Sequence, residues 1–365
     1  MDAWADPDPD PIDVRISDPG EIAASLPGLL GFRPRESVVL ISLTGSTGGR
    51  VGLTVRADIP EGEHAATLAR VLARSVSSDG PRGVLLAVVS EAPDEVAVGS
   101  PVLPHRALVW ELVRALAALP VPVPEVLLVR NGRWWSYDCL AACCAPAAGT
   151  PLPSGVPELE VAAVATGMVV APDRDDLAGR IARPPGFDRD AMVAACVRAA
   201  VHCSAAIVAD GREASAEASW SALTAAVARC RPGAPSAPLS DDEVARILWG
   251  LRDVHVRDRA LRFALGPDAV AAEALWTACT RRAPGPLDAA PATLLAVSAW
   301  LRGDGAMANV ALDRALDGSP GYRLARLLAD GLTACLPPAE LRRMIRGTLG
   351  ALGVGADLGD VDAAG

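Results

Sequence analysis

Residues 25–60 read SLPGLLGFRPRESVVLISLTGSTGGRVGLTVRADIP, and the fold of the first half of the chain turns on them. The stretch opens as the end of a helix, which Gly31 stops because glycine accepts the left-handed conformation at a helix C-terminus. Arg33-Pro34 then turns the chain into Ser37–Leu43 (SVVLISL), a near-continuous apolar run suited to a strand buried on both faces. Val51–Ala57 alternates more and reads as its hairpin partner, with Gly45 to Gly49 supplying the turn. Upstream, Ser17 or Asp18 can cap the helix, with Pro19 in its first turn.

Working outward, Glu61–Ser77 has helical spacing at Leu68, Val71, Leu72 and Val76. Gly83–Val89 (GVLLAVV) is a second buried strand, followed by a helix from about Leu103 to Leu119. Glu125–Arg130 makes a fourth strand, and Gly132–Tyr137 a short fifth after the Asn131-Gly132 turn. The order ββαβαββ predicts an α/β unit: a mixed sheet covered by helices, its first hairpin antiparallel. Strand signals end at Pro146–Pro157 (PAAGTPLPSGVP), so an α/β domain is expected over 18–150 and a helical domain over 151–350.

In the second half, helical patterns fall at 157–169, 174–182, 187–209, 213–230, 240–250, 253–264 and 267–282, with four more after Asp288. Residues 293–332 follow the tetratricopeptide rhythm in part. Gly303-Asp304 separates two helices, small Ala308 sits in the second, and Pro320 opens the next. The acidic, Pro-rich residues 1–17 are expected as a disordered arm, and 351–365 as a flexible tail.

Half of the 365 residues are apolar but only 4% are aromatic, so the cores must be built from Ala, Val and Leu. The formal charge of −10 argues against a nucleic-acid partner, which needs a basic surface. All 34 basic residues are Arg. Without Lys there is no Walker-type phosphate loop, no Schiff-base amine and no protein-kinase strand lysine. Nor is there a Ser–His–Asp order, a GxSxG or an HExxH, so no catalytic residue and no cofactor is assigned. The function expected is that of a ligand- or protein-binding module with a helical interaction scaffold, its partner a protein or a small molecule; the alternative is a thiol- or metal-dependent enzyme or redox protein using Cys139, Cys143 and Cys144.

Eight cysteines behind an N-terminus without an export signal point to a reducing cytoplasm, with thiols free or metal-bound. No membrane span is expected either. The most apolar segment, Met192–Ala209, carries Arg198 and His202 inside it.

Two constellations are candidates for ligand binding. In the first, Trp134, Trp135 and Tyr137 precede Cys139, Cys143 and Cys144. Three thiols within six residues could hold zinc or run thiol redox chemistry, although a fourth ligand is missing and no CxxC is present. The leading reading is nevertheless three small apolar side chains packed in an Ala-rich turn, with no metal bound. In the second, Arg33 and Arg35 begin the first strand beside Glu36, and Asp58 ends the second. The hairpin should pair an Arg with Asp58, as an ion pair or as a fork for a carboxylate or phosphate.

LLGFRPRESVVLISL at 29–43, the GRV and VRADIP that follow, RWWSYDC at 133–139, VRDRAL at 256–261 and LLAVSAWLRGDGAMANVALDRAL at 294–316 are distinctive together. In this combination the chain resembles the domain-of-unknown-function family 4192 of high-GC Gram-positive bacteria. That family has no assigned activity, so the resemblance implies architecture rather than chemistry. Its members tend to follow the cysteines with a Pro-Pro-Glu-Gly-like turn. Ala145-Pro146-Ala147-Ala148-Gly149 lacks the acidic residue, which weakens a carboxylate-assisted role here.

Overall fold

Asp18 opens the first helix, α1 (Pro19–Leu30), its carboxylate accepting from Gly20 N–H at 2.7 Å, and Gly31 closes it at φ 74°. The computed structural model describes residues 18–45, 50–61, 64–97, 99–155, 170–234 and 238–352. The expected arm (1–17), most of the hairpin turn, the helix at 157–169 and nearly all of the C-terminal tail lie outside them. The chain divides into two units, residues 1–174 and 175–365.

The first unit is built on β1 (Ser37–Thr44), whose first six residues are all buried. It lies between antiparallel β2 (Arg50–Asp58) and antiparallel β3 (Gly83–Val89), with Ser37 opposite both Asp58 and Val89. An apolar run on both faces belongs in this interior place. A separate exposed hairpin joins β4 (Glu95–Ala97) and β5 (Ser100–Val102). The main sheet continues with β6 (Glu125–Arg130) parallel to β3, then antiparallel β7 (Arg133–Ser136) and β8 (Thr150–Pro151). Its order is β2-β1-β3-β6-β7-β8.

Helices α2 (Ala65–Ser77) and α3 (Arg106–Ala117) cover one face. Ala69, Leu72, Leu112 and Leu116 meet Val38, Leu40, Leu86, Val88 and Leu128 there, alternate positions along their strands. The intervening Val39, Ile41, Leu85 and Leu127 are buried on the other side, and α1 packs on β2 and β6. The first unit continues past β8. Ala171 N–H donates to Gly31 O at 2.8 Å and Arg33 N–H to Ala171 O at 3.0 Å.

The second unit is helical. It comprises α4 (Arg174–Arg180), α5 (Arg189–Arg229), α6 (Asp241–Gly250), α7 (Val254–Ala260), α8 (Ala269–Arg282), α9 (Ala289–Leu301), α10 (Gly305–Gly318), α11 (Arg323–Thr333) and α12 (Pro338–Ala351). Gly211, at φ 87° and ψ 165°, kinks α5 where two helices were expected. All thirteen residues of α9 are buried, as fits a helix apolar on every side. Asp304 caps α10 by accepting from Met307 N–H at 2.9 Å. By length and composition alone, α5 contains an 18-residue stretch apolar enough to cross a membrane. Val193, Val197, Val201 and Val208 are exposed on it.

Candidate functional site

The thiol cluster is carried by the loop that leaves β7. Strand alternation buries Trp135 on the α2–α3 face and sends half-buried Trp134 to the opposite one, where it crowds Gly20. Tyr137 follows Trp135 inward, and its hydroxyl donates to Pro104 O at 2.7 Å. Burial pushes the phenol's pKa up, and Glu95 adds to the shift. A short 3₁₀ turn at Ala142–Cys144 then folds the chain back over the strand.

Several contacts hold that loop and the strand beneath it. The Trp135 indole N–H donates to Ala145 O at 3.1 Å, and Arg133 reaches Ala148 O and Gly149 O at 3.0 and 2.8 Å. Arg130 lies over the Trp135 ring, 4.9 Å from its centroid, while pairing with Asp94 at 2.9 Å. Gly149, at φ 73°, presses against the indole where a side chain would not fit. The thiols thus sit on a loop tied to the strand by hydrogen bonds and packing.

Cys139 Sγ is 3.9 Å from Cys143 Sγ, which is 4.0 Å from Cys144 Sγ, and all three sulfurs lie within 4.8 Å of one another. Their environments differ in a graded way. Cys144 is buried, and burial raises its pKa to about 11 even though Ser136 N–H donates to its sulfur at 3.3 Å. Cys139 is half-buried at the surface, and the Ala141 N–H, then the Cys144 thiol, lower its pKa. Cys143 is exposed. Of the three aromatic residues expected beside the thiols, Trp135 and Tyr137 share their face and Trp134 does not.

The second constellation is arranged differently from expectation. Asp58 pairs with Arg56 at 2.6 Å, neither Arg33 nor Arg35 being its partner among the described residues. The reason is register. Ser37 stands opposite Asp58, and Arg56, two residues back on the same face of β2, reaches both Asp58 and Ser37 Oγ. Arg56 also lies over Phe32. Arg33 and Arg35 are exposed and contribute backbone groups, Arg33 to Ala171 and Arg35 O to the Ser37 hydroxyl.

Glu36 belongs to a cluster that sequence reasoning missed. Ser90, directly after β3, donates its hydroxyl to Glu36 Oε2 at 2.7 Å and lies 2.8 Å from His105 Nε2. Glu36 Oε1 accepts from Glu91 N–H at 2.8 Å, and both Glu36 (φ 37°) and His105 (φ 61°) have left-handed backbones. The group sits at the carboxyl ends of the parallel strands, where α/β sheets gather ligands. Its polarity is wrong for a nucleophile, however. The one Ser90 proton goes to Glu36, so His105 Nε2 must donate to Ser90 Oγ, as Ala92 N–H does at 3.1 Å. The cluster ties three segments together. Position alone, a serine closing the buried run GVLLAVV, could have flagged it.

A family model described as a domain of unknown function (DUF4192) matches residues 19–339. The chain belongs to this family. The match begins with the first residue of α1 and runs into α12, so both units are family features. No curated protein and no solved structure matches the chain.

Proposed function

We propose that this family member is a binding module that holds a thiophilic metal ion at Cys139, Cys143 and Cys144, with its helical unit as an interaction scaffold. The observation that carries the reading is the sulfur spacing. Zn–S bonds of ~2.3 Å set the sulfurs of a tetrahedral site about 3.8 Å apart; two of the three separations here are 3.9 and 4.0 Å, and all three sulfurs lie within 4.8 Å of one another. The Ala141 N–H lowers the Cys139 pKa and so favours its thiolate, exposed Cys143 gives an entry path, and the fourth position stays open for an outside ligand. We take the compartment to be the reducing cytoplasm, where thiols of this kind stay free.

The scaffold part rests on the tetratricopeptide-like rhythm of 293–332 and on the valines exposed along α5. Both fit a protein partner. A second reading, thiol redox chemistry, is favoured by a lowered Cys139 pKa 3.9 Å from an exposed thiol.

Zinc titration of the metal-free protein separates the readings. Metal binding predicts one ion per chain, lost in Cys139→Ser and in Cys144→Ser. Absence of stoichiometric zinc, together with a Cys139–Cys143 disulfide that forms and reverses under mild oxidation, would move the assignment to redox. Neither outcome would leave the cluster as packing alone.

A further inference from the structure

The helical unit carries a half-open pocket of about 250 Å³ that none of the sites above uses. Helix α8 gives it one polar stripe, because Glu273, Thr277 and Arg281 follow at four-residue intervals and share a face. Arg180 and Ile181 come from the end of α4. Leu295 of α9 and Met307 of α10 complete an apolar lining.

The polar groups of this lining are unevenly satisfied. The Glu273 carboxylate is held by Arg302, and the Thr277 hydroxyl donates to Glu273 O at 2.8 Å. Arg281 donates Nε–H to Ala182 O at 3.2 Å but has no carboxylate partner among the described residues. Arg180 is less satisfied still: its Nη1 is buried and has no hydrogen-bond partner. A buried guanidinium N–H without an acceptor is rare enough to need a reason, and a missing anion is a common one.

We infer that the cavity binds a small organic monocarboxylate, its carboxylate held by Arg180 and Arg281 and its short hydrocarbon chain lying on Ile181, Leu295 and Met307. Each feature excludes an alternative. Two arginines with no carboxylate partner among the described residues reject a cation. Glu273 in the same wall repels a multiply charged anion such as phosphate. The apolar side gives inorganic anions nothing to replace lost hydration. The volume lies just under the roughly 300–1,000 Å³ usual for ligand pockets, which limits the chain to a few carbons.

Calorimetric titration of the full-length protein with hexanoate tests this, with hexanol and inorganic phosphate as the neutral and inorganic comparisons. Hexanoate should bind one to one and at least about tenfold more tightly than either, as expected for charge-assisted bonds to the arginines. Arg180→Ala and Arg281→Ala should each weaken hexanoate by about tenfold or more. Should a variant fail to fold, the unaltered protein serves. Hexanoate should then slow modification of Arg180 and Arg281 by a phenylglyoxal reagent, followed by peptide mass spectrometry. Equal binding of hexanol would reduce the site to an apolar void, and equal binding of phosphate to an unselective anion patch. Either result overturns the inference, as would no hexanoate binding, or binding that both variants and the arginine reagent leave untouched.

Discussion

At the scale of single residues, the contacts that decide most are those with no room for change. A Cβ on Gly52 would overlap the Asp79 carboxylate and the Ser42 hydroxyl, which meet beneath β2 where Leu53 N–H donates to Asp79 at 2.9 Å. Gly52→Ala should therefore cost about 1–3 kcal/mol through overpacking, seen as a lower urea midpoint. An unchanged midpoint would mean that the Asp79 contact is dispensable. The thiols make a pH prediction. Iodoacetamide near pH 7.5 should label Cys143 and Cys139, whose pKa is lowered, and spare Cys144, whose labelling should rise only as pH approaches about 11. Early labelling of Cys144 would show that its shielding by Trp135 and the Ala142–Cys144 turn is absent. The spacing of the three cysteines was legible in the sequence. Their graded burial was not, since it depends on where Trp135 and Ser136 point once β7 has paired with β6.

At the scale of elements, legibility follows how strongly each segment's own pattern dictates its place. β1, β3 and β6 were readable because unbroken apolar runs demand burial on both faces. The caps of α1 were readable because Asp18 and Gly31 each serve a defined backbone need. β4, β5 and β8 have two or three residues each, largely exposed, and carry no such pattern. Helix α6 shows how a local signal becomes an energetic one. Ser240 and Glu243 form a reciprocal capping box, with Ser240 N–H donating to Glu243 at 2.8 Å and Glu243 N–H to Ser240 Oγ at 3.3 Å. Those bonds to Ser240, helped by Arg229, lower the Glu243 pKa from 4.5 to about 2. A depressed carboxyl pKa stabilises the folded state above the unfolded value and loses that contribution as pH falls through the folded one. The melting temperature of Glu243→Gln should hence lie below wild type at pH 7. The gap should narrow below about 4.5 and close near 2. A gap that stays constant across that range would assign the effect to shape rather than charge.

At the scale of the whole molecule, the division into an α/β half and a helical half was legible because strand signals stop while helical ones continue. The place of the division was harder to read. Pro146–Pro157 looks like a linker by composition, yet the first unit runs to residue 174. The reason is a long-range contact that no local pattern announces. Ala171 returns to the turn between α1 and β1, where it exchanges backbone hydrogen bonds with Gly31 and Arg33 and is itself buried beside Phe32. Two such bonds contribute about 0.5–1.5 kcal/mol each, and covering Phe32 adds to them. A fragment ending at residue 174 should therefore unfold at a higher urea concentration than one ending at 151, by about 2 kcal/mol or more in stability. Ala171→Pro in the full chain gives an independent measure, since it removes the N–H that Gly31 O accepts while leaving the chain length intact. If the two fragments unfold together and Ala171→Pro is silent, the first unit is complete at β8 and residues 152–174 are a linker after all.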